Sequence, residues 1–214
     1  MQSKEATLNI AKEIFSRMNY ERLPEIPAEF YNSDTGQPFT HCLVCNCELI
    51  HETRPYAIER AIRHYPAMKL KSVVFEYALC ANCMTNMENE LSAHTKMAIF
   101  TYFAQNLRLA DRPKWQPSED EEARAEFNCS EWIDTCAVKA LPREELHEYT
   151  LCARCIGTKI IPEVVPYMIS GVAQDELIEL FSNESLGYLD DFTNNYFSGP
   201  PEFKELFKGR PILV

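Results

Sequence analysis

Apolar positions recur with two different periods along the chain, and the change of period marks the elements. From Lys71 to Leu79, the residues Val73, Phe75, Tyr77 and Leu79 alternate with their neighbours, which is the period of a strand. After Cys83 the spacing lengthens. Met84, Met87, Leu91, Ala98 and Tyr102 follow three- and four-residue steps, predicting one long amphipathic helix over about 84–107. Leu8, Ala11, Ile14, Phe15 and Met18 share a helical face over 7–18. Two more helices are expected over 173–181 and 184–197, the second stopping at Ser198-Gly199-Pro200-Pro201. Residues 21–40, with Pro24, Pro27, Gly36 and Pro38, read as a long loop. Residues 111–126, with Pro113, Pro117 and the acidic run Glu119-Asp120-Glu121-Glu122, read as an exposed connector.

Composition narrows the class. Hydrophobic residues make up 46% of the 214 and charged residues 25%, close to globular averages, which excludes wholesale disorder. The 21 basic and 32 acidic residues leave a net charge of −11, which disfavours general phosphate binding. The first 22 residues contain no continuous apolar core of the signal-peptide kind, since Lys4, Glu5, Lys12 and Glu13 interrupt it. No stretch approaches the ~18 apolar residues needed to span a bilayer. A cytoplasmic protein is the expectation, and there thiols stay reduced.

The outlier is cysteine, with nine. Cys42, Cys45 and Cys47 form C-x-x-C-x-C; Cys80 and Cys83 form C-x-x-C, as do Cys152 and Cys155; Cys129 and Cys136 lie between these last two pairs. A C-x-x-C pair on a tight turn points two sulfurs at one centre, and two such pairs complete a tetrahedron around zinc. Four soft thiolates select zinc over magnesium or calcium, with iron the competitor. His41 to Ile50 reads as a knuckle entering a short strand, and Asn46, after the second cysteine, suits a positive φ. The first predicted metal site is Cys42, Cys45, Cys80 and Cys83. Its last two members fall at a helix N-terminus, where free N–H groups and the dipole favour thiolates.

Knuckle, hairpin, then a helix whose first turn carries the last two ligands resembles the treble-clef and zinc-ribbon-like group of zinc fingers. The resemblance covers about 42–107 and departs from the group in the long segment 52–70. It implies a structural zinc. Cys47 is left over, either a small buried apolar residue or a ligand in place of Cys42.

Glu76-Tyr77-Ala78-Leu79-Cys80-Ala81-Asn82-Cys83 matches Glu148-Tyr149-Thr150-Leu151-Cys152-Ala153-Arg154-Cys155 at six of eight positions. A repeat of this kind predicts a duplicated module. The second site is then Cys129, Cys136, Cys152 and Cys155, with His147 able to replace one of them, and two zinc ions are expected in all. The fold class is α+β, with duplicated zinc-stapled β-hairpin–helix modules and additional amphipathic helices. The domains are 1–37 (helix and loop), 38–110 (first module), 111–127 (connector) and 128–214 (second module, C-terminal helices and tail).

The sequence contains none of the H-E-x-x-H, H-x-E with P-C-x-x-C, P-loop, G-x-G-x-x-G or G-x-S-x-G patterns. Two function classes remain. One is a non-catalytic adaptor or protein-interaction module with structural zincs and a protein partner. The other is a nucleic-acid-associated zinc-finger protein using Arg54, Arg60, Arg63, Lys69 and Lys71, with Tyr56 and Tyr65 interleaved. The apolar tail Pro211-Ile212-Leu213-Val214 is expected to dock on its own protein or on a partner.

Overall fold

The structure is a computed structural model that describes residues 22–51, 54–65, 68, 70–108, 115, 127–162 and 165–197. The predicted helix over 7–18, the acidic run, the stop at 198–201 and the apolar tail lie outside these residues.

The architecture is α+β. Strand β1 (Pro55–Tyr65) pairs antiparallel with β2 (Leu70–Cys80) on one edge and with β3 (Glu148–Ile156) on the other. The far edge of β3 is shared by β4 (Lys159–Ile160) and β5 (Tyr167–Ser170), both antiparallel. Helices α1 (Ala81–Glu90) and α2 (Ala93–Asn106) follow β2, while α3 (Gly171–Ile178) and α4 (Asn183–Tyr196) follow β5.

β2 and the two C-terminal helices fall where periodicity places them. β1 does not carry that signal, because Glu59, Arg60 and Arg63 break its apolar pattern. Glu59 and Arg60 are nevertheless buried, and each has a hydrogen-bond partner on the neighbouring strand. Arg60 Nε donates to Glu76 Oε2 at 2.8 Å, and Arg60 also donates to the Glu29 carbonyl. Glu59 Oε2 accepts from the Tyr77 hydroxyl at 2.6 Å. Arg63 pairs with Glu148 at 2.6 Å. A buried charge is tolerated only with such partners.

The helix expected over 84–107 is two helices. Leu91 and Ser92 turn extended, with ψ 139° and 154°, and the Ser92 hydroxyl accepts the Thr95 N–H as the N-cap of α2. Apolar periodicity runs through this break and hides it. No helix follows Cys155, which lies inside β3. Within 22–40 the chain makes a 3-10 turn at Ala28–Phe30 and isolated bridges at Glu25–Lys159 and Asn32–Gln37, and it buries Leu23, Ile26, Phe30 and Phe39. Arg60, reaching the Glu29 carbonyl, ties this segment to one face of the sheet. On the other face, Tyr77 packs on Phe192 of α4 and Tyr167 packs on Phe103 of α2. Each long helix thus covers the strand of the opposite helix pair.

The elements repeat. Cross-strand partners Tyr56↔Cys155 and Ile62↔Tyr149 lie symmetrically about the pair Glu59↔Cys152, the relation a local two-fold axis gives. The hairpin β1–β2 corresponds to β3–β5, and the helix pair α1–α2 to α3–α4. The buried residues Cys83, Met87, Leu91, Thr95 and Tyr102 correspond in order to Ala173, Leu177, Phe181, Ser185 and Phe192. The two helix breaks meet at the axis. Ser92 N donates to Ser185 Oγ at 2.9 Å, Ser182 N donates to Thr95 Oγ1 at 3.0 Å, and the Ser92 and Ser182 hydroxyls are 2.8 Å apart.

The octapeptide match does not follow this symmetry. Residues 76–83 span the end of β2 and the start of α1, whereas 148–155 lie wholly in β3. The matching letters therefore occupy different structures.

Ser92 and Ser182 cap equivalent helices, so Ser92→Ala and Ser182→Ala should each lower stability by about 1 kcal/mol. Equilibrium denaturant unfolding checks this, and a cost at one position only would contradict the equivalence.

Candidate metal centre

Local backbone chemistry places the first pair of sulfurs. In the knuckle, Cys42 N donates to Cys47 O and Asn46 N donates to Cys42 O, both at 2.9 Å. Closing this turn requires a left-handed residue, and Asn46 takes φ 55°, as expected of the residue type that best tolerates it after glycine. Leu43 N donates to Ala78 O at 2.9 Å and fastens the knuckle to β2. The same strand ends at Cys80, the N-cap residue of α1, with Cys83 in the first turn. Cys80 forms no side-chain capping bond, so its sulfur is left to turn toward the knuckle.

These elements bring the sulfurs of Cys42, Cys45, Cys80 and Cys83 within 4.8 Å of one another. Cys45 Sγ and Cys80 Sγ are 3.7 Å apart. A tetrahedron with Zn–S bonds of ~2.3 Å has edges of about 3.8 Å, so the spacing matches a zinc-sized ion. Cys42, Cys80 and Cys83 are buried and Cys45 is exposed. The Cys80 N–H also points at Cys42 Sγ, at 3.4 Å. One four-cysteine group that could hold a metal ion is therefore present among the described residues.

Electrostatics show what the four sulfurs need. The Cys47 backbone N–H donates to Cys45 and lowers its thiol to about 6. Burial, with Cys45 and Cys80 next, pushes Cys83 well up, and burial raises Cys80. Four thiolates crowded together repel, and they keep protons unless a cation replaces them. Cys47 stands beside the group but outside it. It is half-buried, its thiol is pushed up to about 12 by burial and then by Cys45, and it packs on the core. The quartet uses Cys42, not Cys47.

The four cysteines proposed for a second site are not brought together as such a group. Cys152 and Cys155 are three residues apart in a strand, and successive side chains there alternate faces, so they point to opposite sides of β3. Cys152 opposes Glu59 and Tyr167, and Cys155 opposes Tyr56 and Ile160. Cys136 hydrogen-bonds Ser170 at 3.3 Å. Cys129 is buried at the N-cap of the helical turn Ser130–Ile133. His147 is exposed just before β3. A C-x-x-C spacing signals a metal only on a turn, and here it lies on a strand.

Sequence reasoning missed the polar cluster at the centre of the sheet. Glu59, Tyr77, Cys152 and Tyr167 are buried together. Burial, with Glu59 next to it, holds the Tyr77 hydroxyl well above its usual range, and burial does the same for Cys152. The signal was the glutamate inside a run of apolar residues. Beside Cys83 lies a cleft of about 220 Å³ between α1 and α4, lined by Val44, Met87, Tyr188, Phe192 and Tyr196 among others. Comparison with known protein families, with characterised proteins and with solved structures finds no match. Among the described residues, no helix is long and apolar enough to cross a membrane.

Cys80→Ser should remove bound metal, whereas Cys47→Ser, Cys152→Ala and Cys155→Ala should leave the metal content of purified protein unchanged. Elemental analysis of the four variants checks this. Metal loss in Cys152→Ala or Cys155→Ala would show that the sheet cysteines are ligands.

Proposed function

We propose that the protein is a zinc-stapled interaction module, with one structural zinc held by Cys42, Cys45, Cys80 and Cys83. The observation that carries this reading is the approach of four sulfurs from a knuckle and a helix N-terminus to within 4.8 Å. A four-thiolate shell leaves no open position for water or substrate, so the ion holds structure and does no chemistry. Its role is to lock the knuckle onto α1, which supplies folding free energy of order 10 kcal/mol in small zinc modules. The nine free thiols suit a reducing compartment such as the cytoplasm.

A protein partner is favoured by an exposed apolar strip on α2. Met97 is 64% and Phe100 71% exposed, one turn apart. Their counterparts on α4 are Gly187 and Asp190, so the strip breaks the internal symmetry. Residues freed from the packing that both halves share are available for a contact. Ion pairs weaken the basic stripe that the nucleic-acid alternative needs. Arg60 is bound to Glu76 and Arg63 to Glu148, which removes two of its five cations.

Protein purified without chelator should carry about one zinc per chain, and chelation should lower its melting temperature. No bound metal, or an iron–sulfur chromophore, would contradict the centre. Met97→Glu with Phe100→Glu should abolish partner capture while leaving zinc content and melting temperature unchanged. Salt-resistant, sub-micromolar binding to DNA or RNA would overturn the interaction-module reading.

A further inference from the structure

The knuckle that carries Cys42 has a copy that carries almost no cysteines. Cys136 N donates to Leu141 O and Ala140 N to Cys136 O, both at 2.9 Å, as Cys42 N does to Cys47 O and Asn46 N to Cys42 O. Ala140 takes φ 55°, the same value as Asn46, a conformation that L-alanine adopts only when the surroundings enforce it. The isolated bridge Thr135–Pro142 repeats His41–Glu48. Ala137 N donates to Met168 O at 2.8 Å as Leu43 N does to Ala78 O at 2.9 Å. The N–H of Ser170, N-cap of α3, points at Cys136 Sγ at 3.3 Å, as that of Cys80, N-cap of α1, points at Cys42 Sγ at 3.4 Å.

These equivalences place Cys136, Lys139, Ser170 and Ala173 where the first half has Cys42, Cys45, Cys80 and Cys83. We propose that this second knuckle is a metal-free counterpart of the first, with the clamp made by side chains, and that its four ligand positions form a latent metal site. The replacements are specific. The Cys136 thiol donates to Ser170 Oγ at 3.3 Å, joining knuckle to helix where two ligands would share an ion. Ser170 Oγ also accepts the Ala173 N–H at 3.4 Å, so it caps a helix that Cys80 leaves uncapped. Lys139 Nζ reaches Glu176 Oε1 at 2.6 Å, one turn beyond Ala173, and Glu176 Oε2 accepts the Tyr102 hydroxyl at 2.9 Å. An ion pair and a thiol–hydroxyl hydrogen bond thus span the same two elements that four sulfurs span in the first half. The second half keeps its closure without a cation, and the first half depends on one.

The inference rests on the metal-centre reading only in its choice of ligand positions, and the test separates the two. The full chain carrying Lys139→Cys, Ser170→Cys and Ala173→Cys is titrated with Co²⁺ under reducing conditions beside the wild type, with thiolate absorption as the readout. The variant should bind one equivalent more than the wild type, and adding Cys136→Ser should remove that increment. A folded variant with no additional equivalent overturns the inference. Absence of cobalt binding in the wild type would overturn the first centre and leave the increment to decide this one. Where the triple variant fails to fold, amide hydrogen exchange on the unaltered chain decides. After chelation the Cys136 and Ala140 amides should keep their protection to within about twofold. Loss of their protection overturns the proposal, whatever the first knuckle does.

Discussion

Everything in the described fold hangs on β1, which pairs antiparallel with β2 on one edge and with β3 on the other. It carries Glu59 and Arg60 into the core, and burying such groups without partners costs several kcal/mol each. The sheet supplies the partners in register: Glu76 opposite Arg60, and Tyr77 opposite Glu59. A one-residue slip would send each charge to the wrong face, so the polar pairs fix the pairing that apolar burial alone leaves loose. That register sets where β2 ends, and therefore where Cys80 and α1 begin. The position of Cys80 and Cys83 follows from a glutamate and an arginine about twenty residues earlier in the chain.

The same strand explains which parts of the molecule were legible from sequence. β2 shows a clean alternation, and the C-terminal helices show a clean helical period, because each presents one face to the core. The first cysteine quartet was legible because its ligands lie on a turn and at a helix start, whose spacings reflect local geometry. β1 was not, since a strand buried on both faces and carrying paired charges has no simple period. The break at Ser92 was hidden because both helices keep their apolar residues in phase across it. Cys152 and Cys155 were misleading for a physical reason: a two-residue gap brings sulfurs together on a turn and separates them on a strand. The octapeptide repeat failed for a related reason, since identical letters took up strand in one copy and strand-to-helix in the other. The symmetry lies instead in hydrogen-bond pattern, in the positive φ at Asn46 and Ala140, and in burial. None of these requires matching residues.

Two halves with one backbone plan close their knuckles with different side chains. In the first half four cysteine sulfurs occupy one small volume, where four thiolates would repel one another without a cation. In the second, chemically modest substitutes hold the same elements, and Ser170 gains a capping bond that Cys80 lacks. The exposed Met97 and Phe100 on α2, replaced by Gly187 and Asp190 on α4, add a second departure from symmetry on the side of the half with the cysteine quartet. On the reading proposed above, a shared scaffold carries one clamp that needs a cation and one that does not.

The proposed staple requires one ion in an all-sulfur shell built by Cys42, Cys45, Cys80 and Cys83. X-ray absorption at the zinc edge on the loaded protein tests it most directly. The expected result is a single shell of four sulfurs at about 2.3 Å. A first shell containing nitrogen or oxygen, from histidine, carboxylate or water, would contradict it.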